Sequence, residues 1–420
     1  MHLNYYNIFL INIKIIMQEE TKHNTKKTNK LYRKIFISIF TLVLFLFEFF
    51  TRNILKQLSV TYFFSSDQSR CSYFVYTDYL EKGIKYFMIY LTYNIFNVYS
   101  ALTIIFVDTL SVVVSHNMKL IYKDVRPFLN EPSFLPCQYT SAYGNPSASA
   151  MSLFLIFGTF YQAMKQKRNS KENKIICISI WIICVFYSCY VRLLQNVVYL
   201  NQIILGIGLG FTVYYIMFRI IKINFNEYKQ IAVILNNYGF TIIFVIIFFL
   251  FNTFIQFTLS EPFISNPIAA SYMKSLTKVF SDKDQSLFLN NANYIMLTKL
   301  FEFLGFYIGV LLEYLVVFKK KEDLFIRYNI KEINQNGEEM FNHTSYDITI
   351  FRIILFCVCH FYLNLNVNVD TIDTSSYLNL LLSLPIIERM FIGVLIFFVL
   401  KYLMKFIGVT NEKMYRREKY

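Results

Sequence analysis

The feature that most constrains this chain is a series of strongly apolar runs, each close to the length that carries an α-helix across a bilayer. About twenty apolar residues span the ~30 Å hydrocarbon layer as a helix, whose backbone groups satisfy one another where no water is available. Such runs lie at Ile35–Ile54, Pro146–Met164, Ile175–Tyr190, Tyr199–Ile221, Tyr238–Leu259, Leu297–Phe318, Thr349–Leu365 and Leu381–Met404. The run Ile84–Met118 is longer than one crossing requires at ~1.5 Å per residue, so it is either one overlong helix or two short ones folded as a hairpin around Asn94–Ser100. Composition agrees: 55% of residues are hydrophobic and 16% charged, against roughly 45–50% apolar in soluble domains. The expected fold class is all-α, a polytopic transmembrane helical bundle. With 12 Gly, 7 Pro and no low-complexity linker, the chain reads as one membrane domain with tails rather than as separate globular units.

The net charge of +14 resides in short clusters between apolar runs, not on one polar face. That distribution speaks against a nucleic-acid partner and for the excess of Lys and Arg in cytoplasmic loops. The clusters are Lys26–Lys34, the loop KQKRNSKENK at Lys165–Lys174, Arg219–Lys222, Lys319–Lys321 and Arg416–Lys419. If all face the cytoplasm, an even number of crossings separates each from the next, so Ile84–Met118 crosses twice or not at all. The total is then ten or eight crossings with both termini cytoplasmic, and Asn366–Ser376, with two Asp and no Lys or Arg, falls outside. The expected organisation is a basic cytoplasmic tail over residues 1–34, a core over 35–221, additional helices over 222–405 and a basic tail over 406–420.

Tyr5–Ile16 is apolar but too short to span and has no clear cleavage site, and Met17 is as good a start as Met1. Cys177, Cys184, Cys189, Cys357 and Cys359 fall inside expected helices, where a thiol behaves as a small hydrophobe. Cys71 and Cys137 fall in loops expected on the non-cytoplasmic, oxidising side, where a disulfide and two unpaired thiols are both open readings. The glycosylation triplet Asn342-His343-Thr344 lies in a loop expected in the cytoplasm, hence unused. Of the charges in or beside apolar runs, Glu48 lies near an expected helix end, and Glu388 and Arg389 are expected to neutralise each other.

Three segments expected on one non-cytoplasmic face carry chemistry. Lys119 and Arg126-Pro127 flank a six-residue spacer after an apolar run; Tyr143-Gly144-Asn145-Pro146-Ser147-Ala148-Ser149 opens a helix; and Val191-Arg192 ends another, before Asn201-Gln202 and Gly206, Gly208 and Gly210. A helix N-terminus with a nearby hydroxyl and converging cations suits an anion. Singly, each has an ordinary reading: Lys119 and Arg126 as interfacial cations, Ser147 as a helix cap, Arg192 as a snorkelling helix-end charge.

In order and spacing, these segments resemble the type 2 phosphatidic acid phosphatase superfamily, which includes lipid phosphate phosphatases, glucose-6-phosphatase and vanadium haloperoxidases. The resemblance covers residues 84–221 and implies a lipid-phosphatase-like core. The family pattern Lys-x6-Arg-Pro is complete at Lys119, Arg126 and Pro127; Pro-Ser-Gly-His is half matched at Pro146 and Ser147; Ser-Arg-x5-His-x3-Asp is matched at Arg192. Ser149 and Val198 stand where the family has its two catalytic histidines, Val191 replaces the Ser before Arg192, and Gln202 stands in a supporting position where many members have Asp. The resemblance implies phosphate binding by Lys119, Arg126, Ser147 and Arg192. It leaves the nucleophile and the acid unassigned, because an alkyl side chain has no lone pair and an unassisted Ser hydroxyl is too weak an acid. His116, one turn before Lys119, either reaches the site or faces solvent or the interface.

The expectation is therefore a membrane protein that holds a phosphorylated lipid or sugar ester with weak or no hydrolysis, in the endoplasmic reticulum or plasma membrane, with membrane lipids as partners and neither cofactor nor metal. The alternatives are an active lipid phosphate phosphomonoesterase, and a transporter or structural protein with vestigial motifs whose cations pair with Asp108, Asp124 or lipid phosphate.

Overall fold

Where apolar side chains surround a chain without water, helix satisfies the backbone, and every long element among the described residues of the computed structural model is helical. The structure describes residues 2–67, 71–95, 98–130, 133–134, 137, 143–167, 171–221, 239, 243, 246–247, 250–251, 254, 282–313, 350, 353–355, 357–359 and 384–400. Within them lie α1 (His2–Tyr62), α2 (Cys71–Ile95), α3 (Val98–Tyr122), the short α4 (Pro127–Asn130), α5 (Ala148–Lys167), α6 (Lys171–Leu194), α7 (Leu200–Tyr215) running into a π-helical turn at Ile216–Ile221, α8 (Asp282–Glu313) and α9 (Leu384–Val394) with a π turn at Leu395–Val399. Most of the expected spans Tyr238–Leu259 and Thr349–Leu365, and the Asn342–Thr344 triplet, lie outside the described residues.

Four of the described helices are long and apolar enough to cross a membrane: Leu31–Tyr62, Ser100–Tyr122, Lys174–Leu194 and Leu200–Ile221, with mean hydropathies of 2.0, 1.5, 2.0 and 1.8. The protein is an integral membrane protein with an all-α fold. Burial sorts these helices. Only 17% of the apolar window of the first and third is buried, against 61% and 50% for the second and fourth, so α1 and α6 line the outside of the bundle and α3 and α7 its centre. The faces that α1 and α6 leave uncovered carry Phe36, Ile39, Leu46, Phe50, Ile176, Ile183 and Phe186, an apolar surface suited to lipid rather than water.

The long run Ile84–Met118 is divided between α2 and α3, which pack on each other. Cys71 opens α2 instead of lying in a loop and is disulfide-bonded to Cys137. At the centre, α5 packs against α3, α6 and α7, and α7 against α1. The close approach of α7 to both neighbours explains its three glycines. A Cβ on Gly206 would stand 2.6 Å from the Ser147 carbonyl oxygen and one on Gly210 3.2 Å from Phe154 Cδ1, both toward α5, while one on Gly208 would collide with Leu44 of α1.

The charges inside the bundle are paired across helices. Lys299 of α8 reaches Asp108 of α3 (3.3 Å) and Glu302 (2.8 Å), Tyr86 of α2 donates to Glu302 (2.8 Å), and Ser152 of α5 donates to Asp108. The acids Asp108 and Glu302 thus each have an opposite charge, the condition under which charge is tolerated away from water. Glu388 and Arg389, expected to neutralise each other, form no ion pair among the described residues: consecutive residues on a helix point in different directions, and the Arg389 Nε has no hydrogen-bond partner among the same residues.

Candidate functional site

The three sequence segments are assembled by the way their helices stop. Past Tyr122, Lys123 takes a left-handed conformation (φ 47°) and its N–H donates to the Lys119 carbonyl (2.9 Å), which closes α3 within a turn of Lys119. The chain then forms an isolated antiparallel bridge from Val125 to Tyr143, and the Gly144 N–H donates to the Asp124 carbonyl (2.9 Å). Ser147 directly precedes α5, so Pro146 stands two residues before the helix and not at its first turn. The Ser147 N–H donates to the Gln202 carbonyl (2.9 Å) and its own carbonyl accepts from Met151 (3.2 Å). After α6, Asn196 is also left-handed (φ 58°), a conformation that Asn tolerates better than most residues, and the Val197 N–H donates back to the Arg192 carbonyl (3.3 Å). This tight turn sets the Val197 carbonyl where Arg126 Nη1 donates to it at 2.8 Å.

Gln202 binds the segments together. Its Oε1 accepts from the Tyr199 N–H (3.2 Å), and its Nε2 donates to Asp124 Oδ2 and the Val125 carbonyl, both at 3.2 Å. The amide is thus committed to bracing the loops and caps α7 from its N3 position. A Cβ on Gly144 would overlap the Gln202 amide, so any side chain there would displace this brace.

A second brace, not anticipated from the sequence, comes from α1. Glu48 is 1% exposed and lies within the helix, far from its end; it accepts from Asn145 Nδ2 (2.9 Å) and Asn201 Nδ2 (3.0 Å) and pairs with Arg52 (2.8 Å). One turn further, Lys56 pairs with Asp124 (2.5 Å), and Ser59 accepts from the Leu200 N–H at the start of α7 (2.8 Å). The spacing of Glu48, Arg52 and Lys56 by four was the available signal, because it places three charges on one face of an apolar helix.

Within this frame Lys119 is 3% exposed and Arg126 6%, and the charges of Arg126 and Arg192 bear on Lys119. Lys119 forms no ion pair or side-chain hydrogen bond among the described residues. The acids that the vestigial-motif alternative would pair with the motif cations hold other residues: Asp108 holds Lys299, and Asp124 holds Lys56. Burial, and then the neighbouring Arg192, push the Arg126 guanidinium down to about 9, still cationic at neutral pH. Arg192, in the last turn of α6, pairs with Glu81 of α2 (3.1 Å), which also holds Lys85 (3.3 Å) and accepts from Ser188 (3.1 Å). A cavity of about 130 Å3 opens beside Arg192, lined by Glu81, Ser188, Leu153 and Val191 among others.

The positions where the resemblance implies histidines have other surroundings. Val198 is buried in the apolar cluster with Leu193, Val197 and Ile203, and Ser149 sits half-buried in the first turn of α5. His116 is not solvent-facing: it is 2% exposed, its Nδ1 is buried with no hydrogen-bond partner among the described residues, and the charges of Lys119 and Arg126 act on it. Among the described residues, no three His, Cys, Asp or Glu side chains gather as a metal site requires.

Residues 86–226 match the model of the PAP2 superfamily. No curated protein and no solved structure matches the chain. The PAP2 stretch contains Lys119, Arg126, Ser147, Ser149, Arg192, Val198 and Gln202, whereas Glu48, Arg52, Lys56 and Glu81 lie N-terminal to it. Its loops are therefore held from outside by α1, and one of its cations is neutralised from outside by α2.

The contact of Gly206 with the Ser147 carbonyl is a direct test of how tightly the PAP2 loops are set. In Gly206→Ala the added methyl meets backbone that cannot swing aside, and the expected loss is about 1–3 kcal/mol. It is read as a lower unfolding temperature in detergent; an unchanged melt would mean that α7 and α5 separate at no cost.

Proposed function

We propose that this protein binds the phosphate of a phosphorylated lipid or sugar ester at the loop end of its PAP2 helices, without the phosphohistidine chemistry of the superfamily. The observation that carries this reading is Lys119: a buried amino group with no partner among the described residues, under the charges of Arg126 and Arg192. An uncompensated cation out of water is costly, and an anion completing the group removes that cost. A phosphate dianion fits the donors, since guanidinium binds it through two parallel hydrogen bonds and ammonium as a point charge. Ser147, directly before α5, would add a hydroxyl, and the first turn of α5 would add N–H groups, to such a cradle. Val198, an alkyl group in an apolar cluster, offers no lone pair for the covalent step.

The test is equilibrium binding of dioctanoyl phosphatidate and of glucose 6-phosphate to detergent-solubilised protein. Lys119→Ala is expected to weaken binding of the preferred ligand by about 10- to 100-fold, from the ~1.5–3 kcal/mol of a hydrogen bond to a charged group. Arg126→Ala adds a further loss. The lipid and sugar arms separate the two ligand classes, and equal binding by wild type and the double variant would refute the reading.

A further inference from the structure

His116 is an unusual residue to find inside this bundle. A polar atom buried without a hydrogen bond costs about 1–3 kcal/mol, and such atoms call for a reason. The Nδ1 of His116 is one of them. Its place is specific: on α3 it precedes Lys119 by three residues, so the two side chains share a helix face at neighbouring positions. That face is polar along its length, with Asp108, Ser111, Ser115, His116 and Lys119 all buried. The other polar members nearby are accounted for: Ser111 and Ser115 donate to carbonyls of their own helix, and Asp108 is held by Lys299 of α8 and Ser152 of α5. The charges acting on His116 are Lys119 of its own helix and Arg126 of the loop that follows.

We infer that His116 is a catalytic residue of the site, the general acid that protonates the leaving oxygen of a bound phosphate monoester while water attacks phosphorus. This rests on the phosphate-binding reading above. An imidazolium beside Lys119 and Arg126 is repelled while the site holds no anion; a bound dianion supplies the opposite charge and makes the proton donor tolerable there. Phosphoryl transfer passes through a loose transition state in which charge collects on the leaving oxygen, so one well-placed proton is the most useful contribution an isolated imidazole can make. The ester P–O bond breaks as the water oxygen forms a new one, and the imidazolium proton goes to the departing alkoxide to give the alcohol. The product leaves the reaction as dihydrogen phosphate, one of whose protons returns to the imidazole, so ester and water become alcohol and monohydrogen phosphate with no net change in the enzyme. No phosphorylated residue forms, and the acid comes from α3, a helix that carries neither histidine of the family pattern.

The experiment uses the full chain in detergent, with dioctanoyl phosphatidate and glucose 6-phosphate as probes, and measures binding and inorganic phosphate release separately for wild type, His116→Gln and His116→Asn. The expected result is slow release by wild type, a fall of about 100-fold or more in both variants, and dissociation constants within a factor of about three of wild type. Release by both variants at the wild-type rate, or wild-type binding without release, overturns the assignment of His116 and leaves the phosphate cradle standing. Loss of binding in both variants would make His116 a packing residue and overturn the assignment as well. Failure of the wild type to bind either probe defeats the cradle first, and with it this inference.

Discussion

Glu48→Ala is expected to lose about 3–5 kcal/mol of stability, the cost typical of breaking a buried charge pair by removing one partner. Arg52 would be left with an uncompensated charge, and Asn145 and Asn201 would each lose the carboxylate oxygen to which they donate at 2.9 and 3.0 Å. Those two asparagines lie in the loop before α5 and at the start of α7, so the loss is not confined to α1: two of the three PAP2 loops are released together. Glu48→Gln, which keeps an acceptor oxygen but not the charge, is expected to lose less. Thermal unfolding in detergent measures both, and binding of dioctanoyl phosphatidate should weaken in parallel. If Glu48→Ala melts with the wild type, the carboxylate is not the hub that its hydrogen bonds describe.

Removing the Cys71–Cys137 disulfide ranks next. The bond closes a loop across a separation of 66 residues, for which the chain-entropy relation gives about 4 kcal/mol. It ties the start of α2 to the segment before α5, where the Cys137 N–H also donates to the Gln195 carbonyl in the turn after α6 (3.1 Å). The double variant Cys71→Ser/Cys137→Ser, and the wild type in reductant, are expected to melt at the same lowered temperature, with the five other cysteines unaffected. Non-reducing mass spectrometry that found both thiols free would remove the basis for this expectation.

The two large effects fall on residues that a reading of the chain alone treats unequally. Cys71 and Cys137 attract notice in a sequence because thiols in loops invite pairing, but only their proximity decides between a bond and two free thiols. Glu48 attracts little notice. A carboxylate in an apolar run reads as a tolerated charge near a helix end until Asn145 and Asn201, which are distant in sequence, prove to converge on it. Asp108 and Asp124 show the same difference in reverse: as the acids nearest to the motif cations in sequence they are their natural partners, yet Lys299 and Lys56 hold them. Sequence distance is a poor guide to ion pairing inside a bundle, because the helix that faces a charge is usually not the next one along the chain.

What the sequence determined by itself was the membrane-helical fold class, the all-helical architecture that follows from it, and the likeness of residues 86–226 to the PAP2 superfamily, through Lys119, Arg126, Pro127, Pro146, Ser147 and Arg192 in their order. These are properties of apolar run length and of local spacing, which act through the backbone and need no tertiary partner. Only the tertiary structure decided that Lys119 is buried with no counter-ion among the described residues, that Arg192 is met by Glu81 and the loops of the matched stretch by Glu48, and that His116 lies inward with its Nδ1 unpartnered among the same residues. Burial and electrostatics depend on which helices become neighbours, and the periodicity of one helix gives the direction of a side chain but not what it meets.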